Sequence, residues 1–427
     1  MRKIINLLVA CTAALPAIAQ TGERSFDAWF ENKALRMDVV HVGDYLEESI
    51  YVSEAREEPF WGGSTGHLVD STFYGNYRVT VRDLATGTLI YSRGFCTLFG
   101  EWRGTEEAKG EKRAAPGVVR VPYPRDGVMI ELFVRDRQGI FQEKCRQVVM
   151  PGDPFIKREK ITAHPTRDIH LSGQPAQRVD IVLLPEGYTA AEMDKFVVDC
   201  RAFTAGFFSF SPYKEHAGLF NIRAVLAPSV ESGADIPREG IWKNTLLDFS
   251  YYTLGTERYL MTYDYKGVCD LAANVPYDFI YVIVNTAKYG GGAIYHHYGS
   301  GSSGDILATK VHVHEFCHLF LGLGDEYAED GAYNDTYPPD VEPWEANLTT
   351  LVAFDKKWKD LLDKDIPAPT PVDPSLPHRV GVYEGAGYAF KGVYRPYPDC
   401  LMRTLKGDKF CPVCTRAIIQ QIHLYSE

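Results

Sequence analysis

Three features that the sequence lacks restrict what the protein can be. No block of lysine and arginine is present and the formal net charge is −11, so the chain lacks the basic footprint of a nucleic-acid-binding protein. Beyond the N-terminus, no segment approaches the roughly 18 uninterrupted apolar residues of a membrane-spanning helix. No internal repeat is visible. We therefore expect no nucleic-acid partner and no transmembrane helix.

The composition is that of a globular protein. Hydrophobic residues make up 45% of the chain and aromatic residues 13%, which excludes a disordered or fibrous protein. The length of 427 residues predicts about two or three domains. The sequence leaves the oligomeric state open.

The N-terminus is typical of a secretion signal. Basic residues at positions 2 and 3 precede an apolar stretch over 4–15, and Ala-Ile-Ala at 17–19 offers a small-x-small cleavage site. Cys11 ends a Leu-Val-Ala-Cys run and could instead be a lipidated anchor, but apolar sequence continues well past it, which favours plain cleavage. We expect a signal peptide over 1–19 and an exported protein that is periplasmic, secreted or attached to the cell surface.

Cysteine is scarce: nine are present, and eight remain after residue 19. An even number in an exported chain permits disulfides, whose pairing cannot be read from the sequence. Cys411 and Cys414 could form a redox pair, half of a structural zinc site or, with Cys400, part of a disulfide set. No thioredoxin-like context surrounds them, and no second Cys/His pair is obvious nearby. Cys317 is expected to be a buried free thiol.

The most informative run is His-Glu-Phe-Cys-His at 314–318. On a helix, residues i and i+4 share a face, so His314 and His318 can hold one zinc ion between them. Glu315 stands beside the first ligand, where a carboxylate can take a proton from zinc-bound water. We therefore predict His314 and His318 as metal ligands and Glu315 as the catalytic residue.

The residues after this run predict a third ligand. Gly322 and Gly324 can end the helix and turn the chain, which would bring Asp325 back toward the histidines. Three protein ligands with one open position describe a catalytic zinc site, whereas a structural site is closed by four.

The rest of the chain divides into a strand-rich part and a mixed part. Short alternating strands with glycine turns predict an antiparallel β-sandwich over 20–150, and Pro-Gly-Asp-Pro at 151–154 is typical of a linker. From 155 to 427, apolar strands are mixed with helices. Strands are predicted over 179–184, 220–227 and 278–284.

Helix signals in the second part are local. A capping box predicts a helix that opens at Thr189. Asp305 is the expected N-cap of the helix that carries His314 and His318, called the zinc helix below. Between the last predicted strand and that helix, 299–304 is expected to be a Gly/Ser-rich loop. The region 334–380 is rich in proline and irregular, with a short helical patch near 354–362, and a last helix is expected from Pro412 to about Leu424.

Several runs outside the zinc helix match one known family. The strongest match extends the zinc motif to Asp-Glu-Tyr, over 314–327. The others are Leu184–Thr189, Glu342–Thr349, Tyr383–Tyr388, Tyr394–Pro396, Asp399–Met402 and Phe410–Cys414, together with Ser92–Phe95 and Phe99–Trp102 in the strand-rich part. Through these runs the chain resembles the IgA-metallopeptidase family of bacterial zinc endopeptidases, over nearly the whole mature sequence. The strand-rich part resembles the N-terminal domain that accompanies this family.

The resemblance implies an α+β fold, with an N-terminal antiparallel β-sandwich followed by a metzincin-like α/β zinc-peptidase domain. Metzincins have a methionine turn beneath the metal, and Met402 is the candidate for it. In the common metzincin pattern the third ligand lies at the position of Gly324, one residue before Asp325. Glu326 therefore stays open as an alternative ligand, and His296 or His297 as a remoter one. His312 points to a different helical face, which favours a structural role.

The sequence predicts a zinc-dependent endopeptidase that hydrolyses peptide bonds with Zn²⁺ and a water activated by Glu315. The Gly-rich stretch 290–293 could form a cleft rim where an extended substrate adds as a strand. Tyr327, Tyr394 and Tyr397 are candidates for oxyanion stabilisation. Two alternatives stay open: a hydrolase or amidase acting on something other than protein, and an idle or non-proteolytic binding protein, for a glycan or protein ligand, that retains the fold. The substrate, including whether it is IgA, cannot be read from the sequence.

Overall fold

The computed structural model describes residues 25–329, 336–373, 375 and 379–426. The predicted signal peptide and Cys11 lie outside the described residues. No helix in the described ranges is long and apolar enough to cross a membrane.

The N-terminal part is built almost entirely of strands. Its elements are α1 (Phe26–Trp29), β1 (Phe30–Gly43), β2 (Glu48–Glu58), β3 (Tyr77–Asp83), β4 (Leu89–Phe95), α2 (Leu98–Trp102), β5 (Arg113–Pro124), β6 (Val128–Arg135) and β7 (Phe141–Val149). They form two antiparallel sheets, of order β2-β1-β5 and β4-β3-β6-β7. Residues of both sheets, among them Leu35, Val79, Val121 and Ile130, share one core. The predicted β-sandwich is confirmed.

The second part is organised around a six-stranded sheet. Its elements are β8 (Thr166–His170), β9 (Val179–Glu186), α3 (Met193–Phe207), β10 (Phe220–Val225), α4 (Tyr265–Ala272), β11 (Phe279–Val284), β12 (Gly291–Ala293), β13 (Gly299–Ser302), α5 (Ala308–Leu321), β14 (Tyr383–Ala386), β15 (Ala389–Arg395) and α6 (Pro412–Ser426). The sheet order is β12-β13-β11-β9-β10-β8. Its four inner strands are parallel, and the two edge strands β8 and β12 are antiparallel to their neighbours.

Helices and loops cover both faces of this sheet, which explains why its central strands are apolar throughout. Along β9, Ile181 and Leu183 face a core shared with α3, α5 and α6. Val182 and Leu184 face the opposite core, which contains α4. The α+β class that the sequence predicted is therefore confirmed, with the strand-rich part preceding the mixed part.

The predicted loop at 299–304 is in part a strand, and this difference positions the zinc helix. Gly299–Ser302 form β13, which pairs with β11 and β12. A Cβ at Gly301 would lie 2.5 Å from the ring of His312, and a Cβ at Gly291 of β12 would lie 3.0 Å from Val311. The missing side chains therefore allow α5 to lie close against the sheet. The sequence did not predict this strand, because glycine and serine are typical of loops.

Three further details differ from expectation. The N-cap of α5 is Leu307, not Asp305; the Asp305 carboxylate accepts a hydrogen bond from the Leu307 backbone N–H at 2.7 Å and so forms a turn just before the helix. The helical patch near 354–362 is two short 3₁₀ turns, Phe354–Lys356 and Lys359–Leu361. The capping box of Thr189 and Glu192 is present, but it first caps the 3₁₀ turn Ala190–Glu192.

The two parts are joined by polar contacts and by shared apolar packing. Arg36 of β1 forms an ion pair with Asp270 of α4 at 2.6 Å. Cys96 donates its backbone N–H to the carbonyl of Tyr295 at 2.8 Å, and the Trp344 indole N–H donates to the side chain of Asn76 at 3.0 Å. Cys96 lies two residues before the short helix α2, and the ring of Trp344 lies beside Gly322 at the end of α5.

Candidate metal centre

The zinc helix is α5, and glycine ends it where the sequence predicted. Gly322 has φ 63°, a left-handed conformation that favours glycine. Its N–H donates to the carbonyl of His318 at 3.0 Å. A Cβ at this position would also lie 2.3 Å from the Trp344 ring. Both conditions favour glycine, and the turn that results reverses the chain toward the histidine face of the helix.

Three side chains converge after this turn. Nε2 of His314 lies 3.0 Å from Nε2 of His318. Oδ1 of Asp325 lies 3.1 Å from the first of these nitrogens and 3.5 Å from the second. The structure thus brings together the three predicted ligands, each with one ligand atom directed at a common point.

The other ring nitrogens of both histidines are held by backbone carbonyls. Nδ1 of His314 lies 2.9 Å from the carbonyl oxygen of Leu401, and Nδ1 of His318 lies 2.5 Å from that of Leu323. A carbonyl can only accept, so each Nδ1 carries a proton, and in the neutral form of each imidazole Nε2 keeps a lone pair for a metal. This second layer of hydrogen bonds is the arrangement that orients histidine as a metal ligand.

Asp325 is fixed in a similar way. Its Oδ2 accepts a hydrogen bond from the hydroxyl of Tyr388, and its backbone carbonyl accepts one from Gly387 at 2.8 Å. Its Oδ1 is buried and accepts no hydrogen bond. Burial alone would raise the pKa of Asp325, but the nearby His318 and His314 hold it well below its usual range. The carboxylate is therefore charged, and one of its oxygens is left for a cation.

The donor set fits a zinc ion. The three ligand atoms lie within 4.8 Å of one another, and two imidazole nitrogens with one carboxylate oxygen are a donor set that catalytic Zn²⁺ uses. Oδ1 of Asp325 supports this fit, because it is buried without a hydrogen bond and faces the Nε2 atoms of both histidines at 3.1 and 3.5 Å, so that one cation can meet all three atoms.

Glu315 is half-buried beside the histidines and lines the same cleft. Burial raises the pKa of its carboxyl, and the neighbouring His314 and His318 oppose that shift without cancelling it. Its position is the one that the motif predicts for a residue that moves protons next to a metal.

The alternative third ligands lie elsewhere. The Glu326 carboxylate contacts Asn347 at 2.9 Å and Cys414 at 3.1 Å. Nε2 of His296 lies 3.1 Å from the hydroxyl of Tyr425, and His297 is buried against the ring of Tyr265. Among the described residues, neither histidine belongs to a group whose ligand atoms converge.

Met402 lies in a tight turn beside the site. The N–H groups of Arg403 and Thr404 both donate to the carbonyl of Cys400, at 2.8 and 3.0 Å. Leu401 in this turn supplies the carbonyl that holds His314, and the Met402 side chain is fully buried in the core. A methionine floor at this position stays a prediction, but the turn does adjoin the ligands.

A cleft of about 970 Å³ contains the three ligands and Glu315. Both parts of the chain line it: α2 and residues 135–139 from the N-terminal part, and β12, Arg258 and Tyr289 from the second. Tyr259 donates a hydrogen bond to Glu101 of α2. Burial raises the pKa of Glu101 to about 7. The N-terminal part therefore forms a wall of the cleft.

Several residues of this site were not singled out from the sequence. Tyr388, Glu101 and Arg258 each reach the cleft from far along the chain. Tyr388 and Glu101 do lie in the runs that carry the family resemblance, but no local pattern connects either of them with the zinc helix. These residues lie near the zinc helix only because the fold brings their segments together.

The three tyrosine candidates for oxyanion stabilisation lie in different parts of the structure. Tyr327 lines the cleft, and its hydroxyl lies 3.2 Å from a guanidinium nitrogen of Arg258. Tyr394 and Tyr397 pack against the core instead. Only Tyr327 of the three lies near the metal ligands.

Comparison with known families agrees with this geometry. The model of the family described as IgA Peptidase M64 matches residues 168–376 and 372–422, and that of the Peptidase M64 N-terminus matches residues 25–146. No curated protein matches the chain. Since these matches cover well over half of the 427 residues, the chain belongs to the IgA peptidase M64 family of metallopeptidases and carries the N-terminal domain of that family.

Proposed function

We propose that the protein is an exported zinc endopeptidase whose metal ligands are His314, His318 and Asp325. The observation that carries the proposal is the convergence of these three ligand atoms, two of them on histidines oriented by backbone carbonyls, beside Glu315 in an open cleft. Zn²⁺ bound there supplies a Lewis acid that polarises a carbonyl and lowers the pKa of a water molecule.

Residues of the chain supply proton transfer, orientation of the ligand and stabilisation of charge. Glu315 accepts the proton of the attacking water and delivers it to the leaving amine, because it is the carboxylate that lines the cleft next to both histidines. Tyr388 holds Asp325 by a hydrogen bond to the oxygen that faces away from the histidines. Tyr327, paired with Arg258, is the candidate for stabilising the charge that develops on the substrate carbonyl.

Substrate binding is proposed along β12, which is an edge strand of the sheet. Gly291 already pairs on its outer side: its N–H donates to Arg258 at 3.1 Å and its carbonyl accepts from Leu260 at 3.2 Å. An extended substrate would therefore pair with β12 at Ala293, because the Tyr295 carbonyl beyond it already accepts the N–H of Cys96 at 2.8 Å.

The domain limits and the location are part of the same proposal. We infer a signal peptide over 1–19, an N-terminal β-sandwich domain over 20–150 and the catalytic domain over 155–427. The basic start, apolar stretch and Ala-Ile-Ala at 17–19 support export.

The experiment is hydrolysis of an unstructured protein by the zinc-loaded enzyme and by its Glu315→Gln variant. We expect cleavage by the wild type and a loss of at least about 100-fold in the variant, because general acid–base catalysis contributes on the order of 10²–10⁴. Glu215→Gln, at an exposed position outside the lining of the cleft, is the matched control and should retain full activity. Equal inactivity of wild type and Glu315→Gln, both with zinc bound, would contradict the proposal and favour a binding protein.

A further inference from the structure

A second cluster of metal-ligating side chains lies behind the candidate metal centre. Cys400, Cys411, Cys414 and Glu326 place three sulfur atoms and one carboxylate oxygen within 4.8 Å of one another. Each of the four residues is at most 3% exposed. The cluster shares no residue with the His314, His318 and Asp325 group.

The four residues come from three separate segments. Glu326 follows Asp325 directly, on the segment that returns from the zinc helix. Cys400 opens the turn that contains Met402, and Cys411 and Cys414 lie at the start of α6. The sequence shows only the Cys-x-x-Cys half of this arrangement, because the other two ligands are contributed by the fold.

The carboxylate of Glu326 is incompletely satisfied. Its Oε1 accepts hydrogen bonds from Asn347 at 2.9 Å and from the Cys414 thiol at 3.1 Å. Its Oε2 is buried without a hydrogen-bond partner. A fully buried carboxylate requires a compensating charge or a full set of donors. A cation held by the cluster would provide that charge.

Burial raises the pKa of the Cys400 and Cys414 thiols, but backbone N–H groups stabilise negative charge on two of the three sulfur atoms. The N–H of Cys411 donates to Sγ of Cys400 at 3.2 Å, and the N–H of Cys414 donates to Sγ of Cys411 at 3.4 Å. Cys411 and Cys414 also lie at the N-terminal end of the 15-residue helix α6. Hydrogen bonds to sulfur and the positive end of a helix dipole both stabilise negative charge on a thiol.

We propose that Cys400, Cys411, Cys414 and Glu326 bind a second, structural Zn²⁺. Three thiolates and a carboxylate close all four positions of a tetrahedral site, which is the signature of a structural rather than a catalytic zinc. A Zn–S bond of about 2.3 Å places sulfur ligands roughly 3.8 Å apart, a separation within the 4.8 Å span of the cluster. Thiolate ligands favour zinc over the hard cations Mg²⁺ and Ca²⁺.

The position of this ion indicates a structural role. Glu326 is next to Asp325, and its N–H donates to the carbonyl of Met402 at 2.8 Å. Cys400 begins the turn in which Leu401 holds His314. One ion would therefore cross-link α6, the turn around Met402 and the segment that carries the third catalytic ligand, and so fix the ligands of the first metal from behind.

A disulfide explains the cluster less well. Any pairing among the three cysteines would leave one thiol over and would leave the Glu326 carboxylate without a countercharge. All eight cysteines of the described residues are free thiols in the structure.

The test is the metal content of the full-length protein purified with zinc, measured by mass spectrometry of the elements. We expect two zinc ions per chain in the wild type and one in His314→Ala/His318→Ala, which removes only the catalytic site. That histidine variant, loaded with Co²⁺, should show intense thiolate-to-cobalt absorption in the near ultraviolet. Cys411→Ser should lose one zinc, whereas Cys200→Ser, a buried cysteine of α3, should retain both.

Three results would overturn the proposal: one zinc in the wild type and none in the histidine variant, iron or copper in place of the second zinc, or a disulfide. The disulfide is detected by alkylating the denatured, unreduced protein in a chelator, where all of Cys96, Cys145, Cys200, Cys269, Cys317, Cys400, Cys411 and Cys414 should react. If Cys411→Ser does not fold, the histidine variant still decides the outcome. Because that variant lacks the catalytic ligands, the result does not depend on peptidase activity.

Discussion

At the scale of single residues, the candidate site combines three predicted ligands with hydrogen bonds that orient them. The carbonyls of Leu401 and Leu323 set the proton positions of the two histidines, and Tyr388 orients the carboxylate of Asp325. The sequence predicted the ligands because they lie within 12 positions of one another around the motif. It did not predict Tyr388, which reaches Asp325 only through the fold.

Replacing Tyr388 by phenylalanine should weaken zinc binding without removing a ligand. The loss of one hydrogen bond to a coordinating carboxylate typically lowers metal affinity by about 10–100-fold. The affinity is measured by competition with a chromophoric chelator. Tyr394→Phe, at a tyrosine that packs against the core, should leave the affinity unchanged; equal affinity in all three proteins would contradict the assigned role of Tyr388.

His297 should make the protein sensitive to acid. Burial lowers the pKa of its imidazole to about 3, and His41 adds to the effect, whereas the pKa in the unfolded chain is about 6.5. The unfolded state therefore binds a proton that the folded state does not. The stability associated with neutral His297 is fully present above about pH 6.5. As the pH falls from there toward 3, the free energy of unfolding decreases by about 1.4 kcal/mol per pH unit.

The measurement is the free energy of unfolding of wild type and His297→Gln between pH 7 and pH 4.5. The variant should lose less stability over this interval than the wild type, whatever its stability at pH 7. His67→Gln, at an exposed histidine, serves as the control and should follow the wild type. Parallel curves for His297→Gln and wild type would show that this histidine is not the acid-sensitive group.

At the scale of elements, the zinc helix is positioned by glycines at its end and along the strands beneath it. The end was predictable, since glycine after an apolar helical pattern is a stop signal. The strand Gly299–Ser302 was not, because its burial follows from the approach of α5 and not from its own composition. The same limit applies to Glu326 and Cys400, which the sequence does not connect with the Cys411–Cys414 pair.

Gly322→Ala should disturb both stability and metal binding. The left-handed φ of 63° and the Trp344 ring at 2.3 Å from a Cβ together predict a loss of about 1–3 kcal/mol. Chemical denaturation measures the loss, and zinc affinity reports whether the turn to Asp325 has moved. Gly218→Ala, where a Cβ meets no atom within 4 Å, is the matched substitution; an equal effect at the two positions would refute the argument.

At the scale of the whole molecule, the N-terminal part contributes residues to the cleft that holds the candidate metal ligands. It supplies α2 to the cleft wall, and Asn76 holds Trp344, whose ring packs against the end of the zinc helix. The sequence predicted the two parts and their fold class. It could not predict their contact, because no residue pattern records which surfaces of two domains meet.

Arg36→Met should destabilise the junction of the two domains. Arg36 is fully buried and pairs with Asp38 at 2.7 Å, Glu58 at 3.4 Å and Asp270 at 2.6 Å. Its removal takes one of two cationic partners from each carboxylate, since Asp38 keeps Lys266, Glu58 keeps Arg120 and Asp270 keeps Arg56. Because buried hydrogen bonds to charged groups are lost, we expect a loss of about 1.5–3 kcal/mol in the free energy of unfolding. Arg82→Met, which breaks the half-exposed pair with Glu131, should cost less than about 1 kcal/mol. Similar losses in the two variants would contradict this account of the junction.

The most direct test of the central claim is a crystal structure of the zinc-loaded protein, with anomalous scattering measured on both sides of the zinc absorption edge. The account predicts a zinc peak coordinated by Nε2 of His314, Nε2 of His318 and an oxygen of Asp325, with Glu315 beside the open position. A peak at this site that is coordinated by Glu326 in place of Asp325, or the absence of a peak between the two histidines, would contradict it.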